Sequence, residues 1–363
     1  MSDDKIPLAR PSLGAAESAA LQAVLDSGRL VNGPRCVQLE RMLAQRCGRR
    51  HAVAVASGTA ALELSLWALG VGNGDEVVVP AFGYPAAAHA VVARGAAPIP
   101  ADVEAATWNL DPHSAAAAIT RSTRAVIAID QLGLVAETSE LSELGVDIVA
   151  DSACSLGGTD SAGVGGGGYG RLAILSFHPR KLVTTGEGGA VVCDDDALAA
   201  ALQQLRNLGQ SSPGAFARIG TNARMSELHA AVGCVQMERL DAMLAERRLL
   251  AQGYDERLEP LIRAGRLSVQ AVPAGAQHSY QTYAVRLADG VSRDEVRARL
   301  LDADIETGPA TYAFTELGVF AEWARPMPVS AALHARGLAL PLYIGMRSSE
   351  LDRVAAALTE VIG

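Results

Sequence analysis

Lys181 is one of only two lysines in a chain that carries 29 arginines. It ends the run SFHPRK (residues 176–181), which precedes the glycine-rich segment TTGEGG (residues 184–189). An arginine stays protonated, so it cannot act as a neutral nucleophile or form a Schiff base with a carbonyl compound. A coding bias towards arginine explains why lysines are few, but it does not explain why one is kept here. The residue type therefore predicts a chemical role for Lys181.

A second candidate is the segment Ser57-Gly58-Thr59, which joins a predicted strand (residues 51–56) to a predicted helix. The first free N–H groups of a helix and the helix dipole favour an anion, and Gly58 allows close approach of the backbone. Because serine and threonine also begin many ordinary helices, a plain N-cap is the alternative. The segment predicts either a phosphate site or a cap.

A third candidate is Asp151, which directly follows the apolar strand residues 148–150. Ligands of open α/β sheets bind at the carboxyl ends of the strands. A carboxylate at that edge can keep a pyridinium nitrogen protonated, since its charge stabilises the cation. A turn or helix-cap aspartate is the alternative when Asp151 is taken alone.

Together these three candidates supply what pyridoxal 5'-phosphate needs from a protein. The cofactor requires an anchor for its phosphate, a partner for its ring nitrogen and an amine for its aldehyde. The order along the chain is phosphate loop, strand-end aspartate and lysine. The combination predicts an enzyme that uses this cofactor.

The order and spacing of these motifs resemble the DegT family of sugar aminotransferases, and the resemblance covers nearly the whole chain. It is most specific at residues 176–189. The other segments that carry it are residues 25–29, 33–34, 57–62, 74–77, 151–153, 225–228, 230–231 and 340–343. The family implies the aspartate-aminotransferase fold (fold type I) and a homodimer with active sites at the interface.

The resemblance also implies roles for single residues. Lys181 would form the Schiff base and Asp151 would pair with the ring nitrogen. Further cofactor contacts would come from the phosphate-binding residues Ser57, Gly58, Thr59 and Ser176, the stacking ring of Tyr84, Cys154, and Asn222 or Arg224 reaching across the dimer to the partner's phosphate.

Several positions depart from the family pattern. Ala150 replaces the usual glutamate before the strand-end aspartate, and Cys154 replaces a glutamine or histidine that commonly touches the cofactor. Gly83 replaces a threonine in the aromatic loop, and residues 221–223 loosen an Asn-Tyr-Arg pattern. These departures leave the core chemistry in place, and they predict changes on the substrate side.

The resemblance predicts an aminotransferase that moves an amino group from L-glutamate to a keto sugar, usually a nucleotide-linked 3- or 4-keto-deoxysugar. One alternative is amination of a keto-cyclitol such as scyllo-inosose. An alternative of another class is a catalytically idle regulatory protein on the same fold, against which Lys181, Asp151 and Ser176 argue. A dehydrase is disfavoured, because such relatives replace the lysine with histidine.

The elements that must position these residues follow from the pattern of apolar runs. Short apolar strands alternate with alanine-rich helical stretches, which predicts a mostly parallel seven-stranded sheet flanked by helices. The predicted strands are residues 52–56, 76–79, 97–99, 125–129, 147–150, 172–177 and 190–192, and the predicted helices are 14–27, 58–69, 86–94, 112–120 and 197–208.

Apolar residues at helical spacing predict a long helix over residues 226–258. Beyond it, a strand at 282–287 and helices at 293–303 and 348–362 suit a smaller α+β domain. The fold class is therefore α/β, with a large cofactor-binding domain at residues 1–245 and a small C-terminal domain at residues 246–363.

Composition limits the remaining possibilities. The net charge of −9 without a basic run predicts no nucleic-acid partner. The five scattered cysteines and the absence of an apolar N-terminal stretch predict reduced thiols, a cytoplasmic location and no membrane anchor. The seven histidines are too dispersed to predict a metal site. Residues 163–168 satisfy GxGxxG, but they lead into a strand rather than following one, so a flexible loop is the expectation.

Overall fold

The computed structural model describes residues 5–363. Its helices are α1 (Ala15–Ser27), α2 (Pro34–Arg46), α3 (Gly58–Ala68), α4 (Ala86–Ala93), α5 (Pro112–Ala118), α6 (Thr138–Ser142), α7 (Asp196–Leu205), α8 (Glu227–Arg263), α9 (Arg293–Asp302), α10 (Pro328–Arg336) and α11 (Ser348–Ile362). Its strands are β1 (His51–Val55), β2 (Glu76–Pro80), β3 (Ala97–Ala101), β4 (Thr123–Ile129), β5 (Asp147–Asp151), β6 (Leu172–Ser176), β7 (Gly189–Cys193), β8 (Gln210–Ser212), β9 (Ala215–Phe216), β10 (Leu267–Val269), β11 (Tyr283–Leu287), β12 (Gly308–Pro309) and β13 (Gly337–Leu340).

The predicted seven-stranded sheet is confirmed, with the strand order β1-β7-β6-β5-β4-β2-β3. The neighbours from β6 to β3 run parallel, and β7 is antiparallel to both β1 and β6. Successive side chains of a strand face opposite sides, so a sheet covered on both faces needs apolar residues throughout. In β1, Val53 and Val55 join one apolar cluster while Ala52 and Ala54 join the other. The alternation explains why the strands read as continuous apolar runs.

A second sheet, with the order β10-β11-β13-β12 and antiparallel pairing, forms the centre of the predicted small domain. The long helix α8 joins the two parts of the molecule. Its residues up to Leu244 pack in the core beside the large sheet, whereas Leu250 and later residues pack with the small sheet. We propose a boundary near residue 245, which this change of packing partner supports. Ile6 also packs with the small sheet and pairs with Ile305.

Several elements of the structure have no counterpart in the sequence-based predictions: helices α2, α6 and α10 and strands β8, β9, β10, β12 and β13. Helix α2 was missed, although Pro34 at its first turn suits a helix start and Leu39 and Leu43 bury one face. The glycine-rich loop at residues 163–168 is indeed a loop, but it is closely packed. Cβ atoms on Gly166 and Gly167 would lie 2.4 Å from Ser155 Oγ and 2.6 Å from Cys47 Sγ, so these two glycines serve tight packing.

Candidate active site

The candidate residues meet at one edge of the large sheet. Asp151 ends β5 and Ser176 ends β6, and these two strands are parallel neighbours. The start of β7 lies opposite the ends of two strands, because Gly189 pairs with both Val55 and Ser176. The loop after β1 therefore comes to the same edge.

Gly189 allows the loop after β1 to lie against the end of β6. A Cβ on Gly189 would lie 2.5 Å from the Ser57 carbonyl oxygen and 2.7 Å from Gly58 N. A Cβ on Gly58 would in turn lie 2.8 Å from Ser176 Cβ. Both glycines are thus required by close approach, and they place the Ser176 hydroxyl beside the first turn of α3. The sequence shows Gly189 only as the last residue of the TTGEGG segment, and the cross-strand register gives it this role.

The first turn of α3 combines a cap with an anion-binding geometry. Ser57 is the N-cap, and its Oγ accepts a hydrogen bond from Ala60 N at 3.0 Å. The N–H groups of Gly58 and Thr59 have no intrahelical acceptor. Within residues 5–363, neither the Thr59 nor the Ser176 hydroxyl makes a hydrogen bond. The two interpretations of the Ser57 segment are therefore compatible, and several donors remain available to a phosphate.

Asp151 is almost completely buried, with 8 % of its surface exposed. Its Oδ1 accepts a hydrogen bond from Ala153 N at 3.2 Å. Burial raises the pKa of Asp151 to about 6, and the positive charge of Lys181 opposes part of that rise. A cation placed next to this carboxyl group would favour its ionised form. The environment suits a carboxylate that pairs with a ring nitrogen.

Lys181 is half-buried and contacts Cys154 directly. Its Nζ donates to Cys154 Sγ at 3.1 Å. The residue that departs from the family pattern is thus in contact with the lysine amine. Lys181 lies in a loop, where its own N–H donates to the His178 carbonyl oxygen at 2.8 Å.

The segment that carries Asn222 and Arg224 runs beside the loop after β1. Arg224 pairs with Val55 through the backbone, and Ala56 N donates to the Ala223 carbonyl oxygen at 2.9 Å. The Arg224 side chain donates to Asn207 Oδ1 at 2.5 Å, and the Asn222 side chain is exposed. The segment therefore lies close to the phosphate loop of its own chain. A contact with a partner subunit stays a prediction for both residues.

Tyr84 lies on the open side of this region with 69 % of its surface exposed. Its ring meets that of Tyr312 edge-on, with ring centroids 6.2 Å apart. A Cβ on Gly83 would lie 2.5 Å from Ile129 Cδ1, so a larger residue here would require only the end of the Ile129 side chain to shift. Tyr312 had no sequence signal, because it comes from a distant segment whose carbonyl oxygen accepts from Gly83 N.

Asp130 is a further residue at this edge that the sequence analysis missed. It directly follows β4, as Asp151 ends β5, so the same strand-end pattern could have identified it. Its buried carboxylate accepts from the hydroxyls of Ser152, Ser155 and Tyr169, at distances of 2.5 to 2.7 Å. Burial raises the pKa of Asp130, although these donors oppose the rise. The network fixes the turn that bears Cys154.

The donor set fits pyridoxal 5'-phosphate. Hydroxyls and free helix N–H groups lie at one position, a buried carboxyl group at a second and a lysine amine at a third, all along one sheet edge. Among residues 5–363, no group of three or more histidine, cysteine, aspartate or glutamate side chains is placed to hold a metal ion. The five cysteines are free thiols. No helix in this part of the chain is both long and apolar enough to cross a bilayer.

Comparisons with known proteins agree with this geometry. The profile of the DegT/DnrJ/EryC1/StrS aminotransferase family matches residues 11–359. The chain is 34 % identical to GDP-perosamine synthase of Caulobacter vibrioides, with 100 % of both chains covered.

Two solved structures share the fold over almost the whole chain. S. venezuelae DesV, in complex with a ketimine intermediate, has a TM-score of 0.91 and 33 % identity over 98 % of each chain. Spr1654 of Streptococcus pneumoniae, in its PLP form, has a TM-score of 0.92 and 26 % identity over 98 % of each chain. The chain therefore belongs to the DegT/DnrJ/EryC1/StrS aminotransferase family, and it is a pyridoxal-5'-phosphate-dependent aminotransferase.

Proposed function

We propose that this enzyme moves an amino group from L-glutamate to the keto group of a nucleotide-linked deoxysugar, at C3 or C4, to give an amino sugar. The observation that carries the chemistry is the meeting of Lys181, Asp151 and the first turn of α3 at one sheet edge. The substrate class is supported by the full-length similarity to GDP-perosamine synthase.

Lys181 is the proposed acid and base. When bound, the cofactor supplies an electron sink for the bond that breaks at the donor carbon. After the amino donor has displaced Lys181, the neutral amine of this residue takes the proton from the α-carbon of the donor. In the second half of the reaction, the same amine returns a proton to the sugar carbon that accepts the amino group. Cys154 Sγ, at 3.1 Å, accepts a hydrogen bond from this amine and limits where it can move.

The remaining proposed site residues bind the cofactor and orient it. Asp151 keeps the ring nitrogen protonated, and the pairing offsets the burial of its own charge. The donors at Ser57, Gly58, Thr59 and Ser176 bind the phosphate at the N-terminus of α3. Tyr84 covers the cofactor ring from the open side. Asn222 or Arg224 reaches the phosphate of a partner subunit.

A homodimer is the proposed assembly. The structure exposes several large apolar side chains where α1 ends and α2 begins: Leu25, Leu30, Val31 and Val37, each with 46 to 55 % of its surface exposed. We call these four residues the N-terminal apolar patch. Exposed apolar patches of this kind mark interaction sites. The backbone of Val31 pairs with Ser226, two residues from Arg224, so the patch lies near the segment proposed to cross the interface.

The proposed location is the cytoplasm. The five cysteines are free thiols, and free thiols suit a reducing compartment.

The lysine assignment is tested with the chain's two lysines as a matched pair. Purified protein should be yellow with bound cofactor, and borohydride should fix the cofactor covalently on Lys181. Lys181→Arg should lose this attachment and about 10²- to 10⁴-fold in kcat, because the proton carrier is gone. Lys5→Arg should behave as wild type, since Lys5 is exposed and pairs with Glu306 at 2.7 Å. Cofactor fixed elsewhere, or none in wild type, would contradict the assignment.

The substrate is tested with a panel of glutamate-dependent amination assays. The panel contains nucleotide-linked 3-keto-deoxysugars, nucleotide-linked 4-keto-deoxysugars and scyllo-inosose. Amination of a nucleotide-linked sugar is expected, together with formation of 2-oxoglutarate. Turnover of scyllo-inosose alone would contradict the proposal in favour of the keto-cyclitol alternative.

A further inference from the structure

The carboxamide of Gln281 bridges the peptide groups on either side of Lys181. Its Oε1 accepts a hydrogen bond from Leu182 N at 2.8 Å, and its Nε2 donates to the Arg180 carbonyl oxygen. An N–H group needs an acceptor and a carbonyl group needs a donor, so one orientation of the amide satisfies both. Gln281 is 8 % exposed, and both of its polar ends are used on the main chain that carries the lysine.

The lysine loop needs such a support, because it lies outside the sheet. Residues 177–188 connect β6 and β7, and neither strand ladder extends to Lys181. A lysine side chain has four rotatable bonds, so the position of its amine depends on a fixed backbone. The two bonds from Gln281 replace the strand pairing that this loop lacks.

Gln281 is itself firmly held by helix α8. Arg247 Nη1 donates to the carbonyl oxygens of Tyr280 and Gln281 at 2.8 and 2.9 Å. Arg247 is 4 % exposed, and burial lowers its pKa to about 10. Burying a guanidinium is unfavourable unless it is hydrogen-bonded, so the two carbonyl contacts offset part of the cost of burying Arg247.

The same short segment also holds the loop that bears Cys154. Ser279 Oγ donates to the Cys154 carbonyl oxygen at 2.8 Å, and Ser279 N donates to the Gly133 carbonyl oxygen at 3.0 Å. Tyr280, which lies between Ser279 and Gln281, has a positive φ of 49°, a conformation that residues with a side chain rarely adopt. Its N–H donates to His278 Nδ1 at 2.7 Å. Residues 279 and 281 thus reach the two loops whose side chains meet at the 3.1 Å contact between Lys181 and Cys154.

We propose that Gln281 is a positioning residue for Lys181: it fixes the backbone of the lysine loop from the small domain, so that the amine stays in place when it is released from the cofactor. The inference rests on the proposed function of Lys181. Gln281 touches neither cofactor nor substrate in this role. Its loss should impair proton transfer while leaving the phosphate site at α3 intact.

The test compares Gln281→Met, Gln281→Glu and a control. Methionine is similar in length but neither donates nor accepts strongly, whereas glutamate keeps an acceptor for Leu182 N and loses the donor to Arg180. Val354→Ala is the control, because Val354 on α11 is fully buried in the apolar cluster of the small domain, and none of the residues that form this cluster belongs to the lysine loop. The measurements are kcat and KM, the affinity for pyridoxal 5'-phosphate, and the pH midpoint of the lysine-bound cofactor's absorbance.

Gln281→Met should lower kcat by about 10²-fold, as expected for a misplaced catalytic group, and should shift the pH midpoint. KM for the amino donor and the cofactor affinity should stay near wild type. Gln281→Glu should also lower kcat, and its kcat provides the answer if the methionine variant does not fold. Its midpoint is not compared, because the carboxylate places a new charge near Lys181. Val354→Ala should lower the melting temperature and leave kcat and the midpoint unchanged.

Two outcomes separate this inference from the proposed function. If wild type carries cofactor on Lys181 but neither Gln281 variant lowers kcat more than Val354→Ala does, and Gln281→Met keeps the wild-type midpoint, the positioning role is overturned alone. If wild type carries no cofactor on Lys181, the proposed function fails and the positioning role fails with it.

Discussion

At the scale of single residues, the candidate site depends on the buried carboxyl group of Asp151. Burial of its ionised form is unfavourable until a cation lies beside it. Asp151 has one hydrogen bond from Ala153 N and the nearby charge of Lys181, and burial still raises its pKa. The Asp130 carboxylate behind it adds to the rise. A ring nitrogen that keeps its proton would relieve this situation, so binding and protonation of the cofactor should favour each other.

The raised pKa of Asp151 predicts a pH-dependent stability of the cofactor-free protein. An acid whose pKa is higher in the folded chain holds its proton more tightly there. It therefore favours folding below about pH 4 and loses this contribution as the pH rises through about 6. Asp151→Asn removes the titration and keeps the acceptor for Ala153 N. The cofactor-free variant should gain on the order of 3 kcal/mol over wild type at pH 8, and much less at pH 4.

Urea unfolding of both cofactor-free proteins at pH 4 and pH 8 measures this difference. A gain that is equal at the two pH values would contradict the raised pKa. The same variant should lose most of its kcat, because a neutral amide cannot hold the ring nitrogen protonated. Greater stability and lower activity together would show that Asp151 is kept for its chemistry.

At the scale of elements, the proposed phosphate site is made by the packing of a helix start against a strand end. The first turn of α3 and the last residue of β6 approach so closely that Gly58 and Gly189 have no room for a Cβ. This contact brings the Ser176 hydroxyl to the free N–H groups of the helix. Neither element forms the site alone.

Gly58→Ala should therefore weaken cofactor binding. Alanine is a better helix former than glycine, so helix propensity alone would favour the variant. Its Cβ would lie 2.8 Å from Ser176 Cβ, and relieving this overlap should cost about 1 to 3 kcal/mol and displace the Ser176 hydroxyl. We expect the affinity for pyridoxal 5'-phosphate to fall about tenfold, which corresponds to 1.4 kcal/mol.

Titration of the cofactor-free protein with pyridoxal 5'-phosphate gives the measurement. Gly72→Ala is the matched control, because a Cβ there meets no atom within 4 Å and its φ is not positive. It should bind as wild type. Equal affinities for all three proteins would contradict the close-approach explanation of Gly58.

At the scale of the whole molecule, helix α8 and the segment around Gln281 tie the small domain to the lysine loop. Arg247, Arg248 and Gln281 lie on the side of the small domain, and their hydrogen bonds end on loops of the large sheet or on the segment that supports them. The N-terminal apolar patch is a second whole-molecule feature, since it has no cover within the described chain.

The patch predicts how the protein associates. Val31→Asp places a charge within it and leaves the backbone pairing with Ser226 in place. At micromolar concentration, where wild type should be a dimer, the variant should be a monomer. The reason is that a charge in the core of an interface is unfavourable, and charged residues are depleted there. Val319→Asp is the control, since Val319 is an exposed valine elsewhere, with 72 % of its surface accessible.

Sedimentation velocity distinguishes the species. Wild type and Val319→Asp should sediment as dimers and Val31→Asp as a monomer with weaker cofactor binding. A monomeric wild type, or a dimeric Val31→Asp, would contradict the proposed interface.

The sequence by itself determined the layer architecture and indicated the candidate residues of the chemistry. Lys181 stands out because the chain has only two lysines, and Asp151 stands out only in combination with Lys181 and the Ser57 segment, since other strands of the large sheet are also followed by an aspartate. The strands of the large sheet could be found because a sheet covered on both faces needs continuous apolar runs. Helix α8 could be found from its 3.6-residue period. These signals are all local along the chain.

Only the tertiary structure decided which distant groups support those residues. Gln281 lies 100 positions from Lys181 along the chain, and Arg247, which holds Gln281, lies on helix α8. Tyr312 contacts Tyr84 from the small domain. The need for glycine at positions 58 and 189 likewise arises from atoms of other elements. Local pattern reports what a residue type can do and which face of its element is buried. The contacts that hold it in place depend on strand register and domain packing, which are set by the summed burial of the whole chain rather than by any one segment.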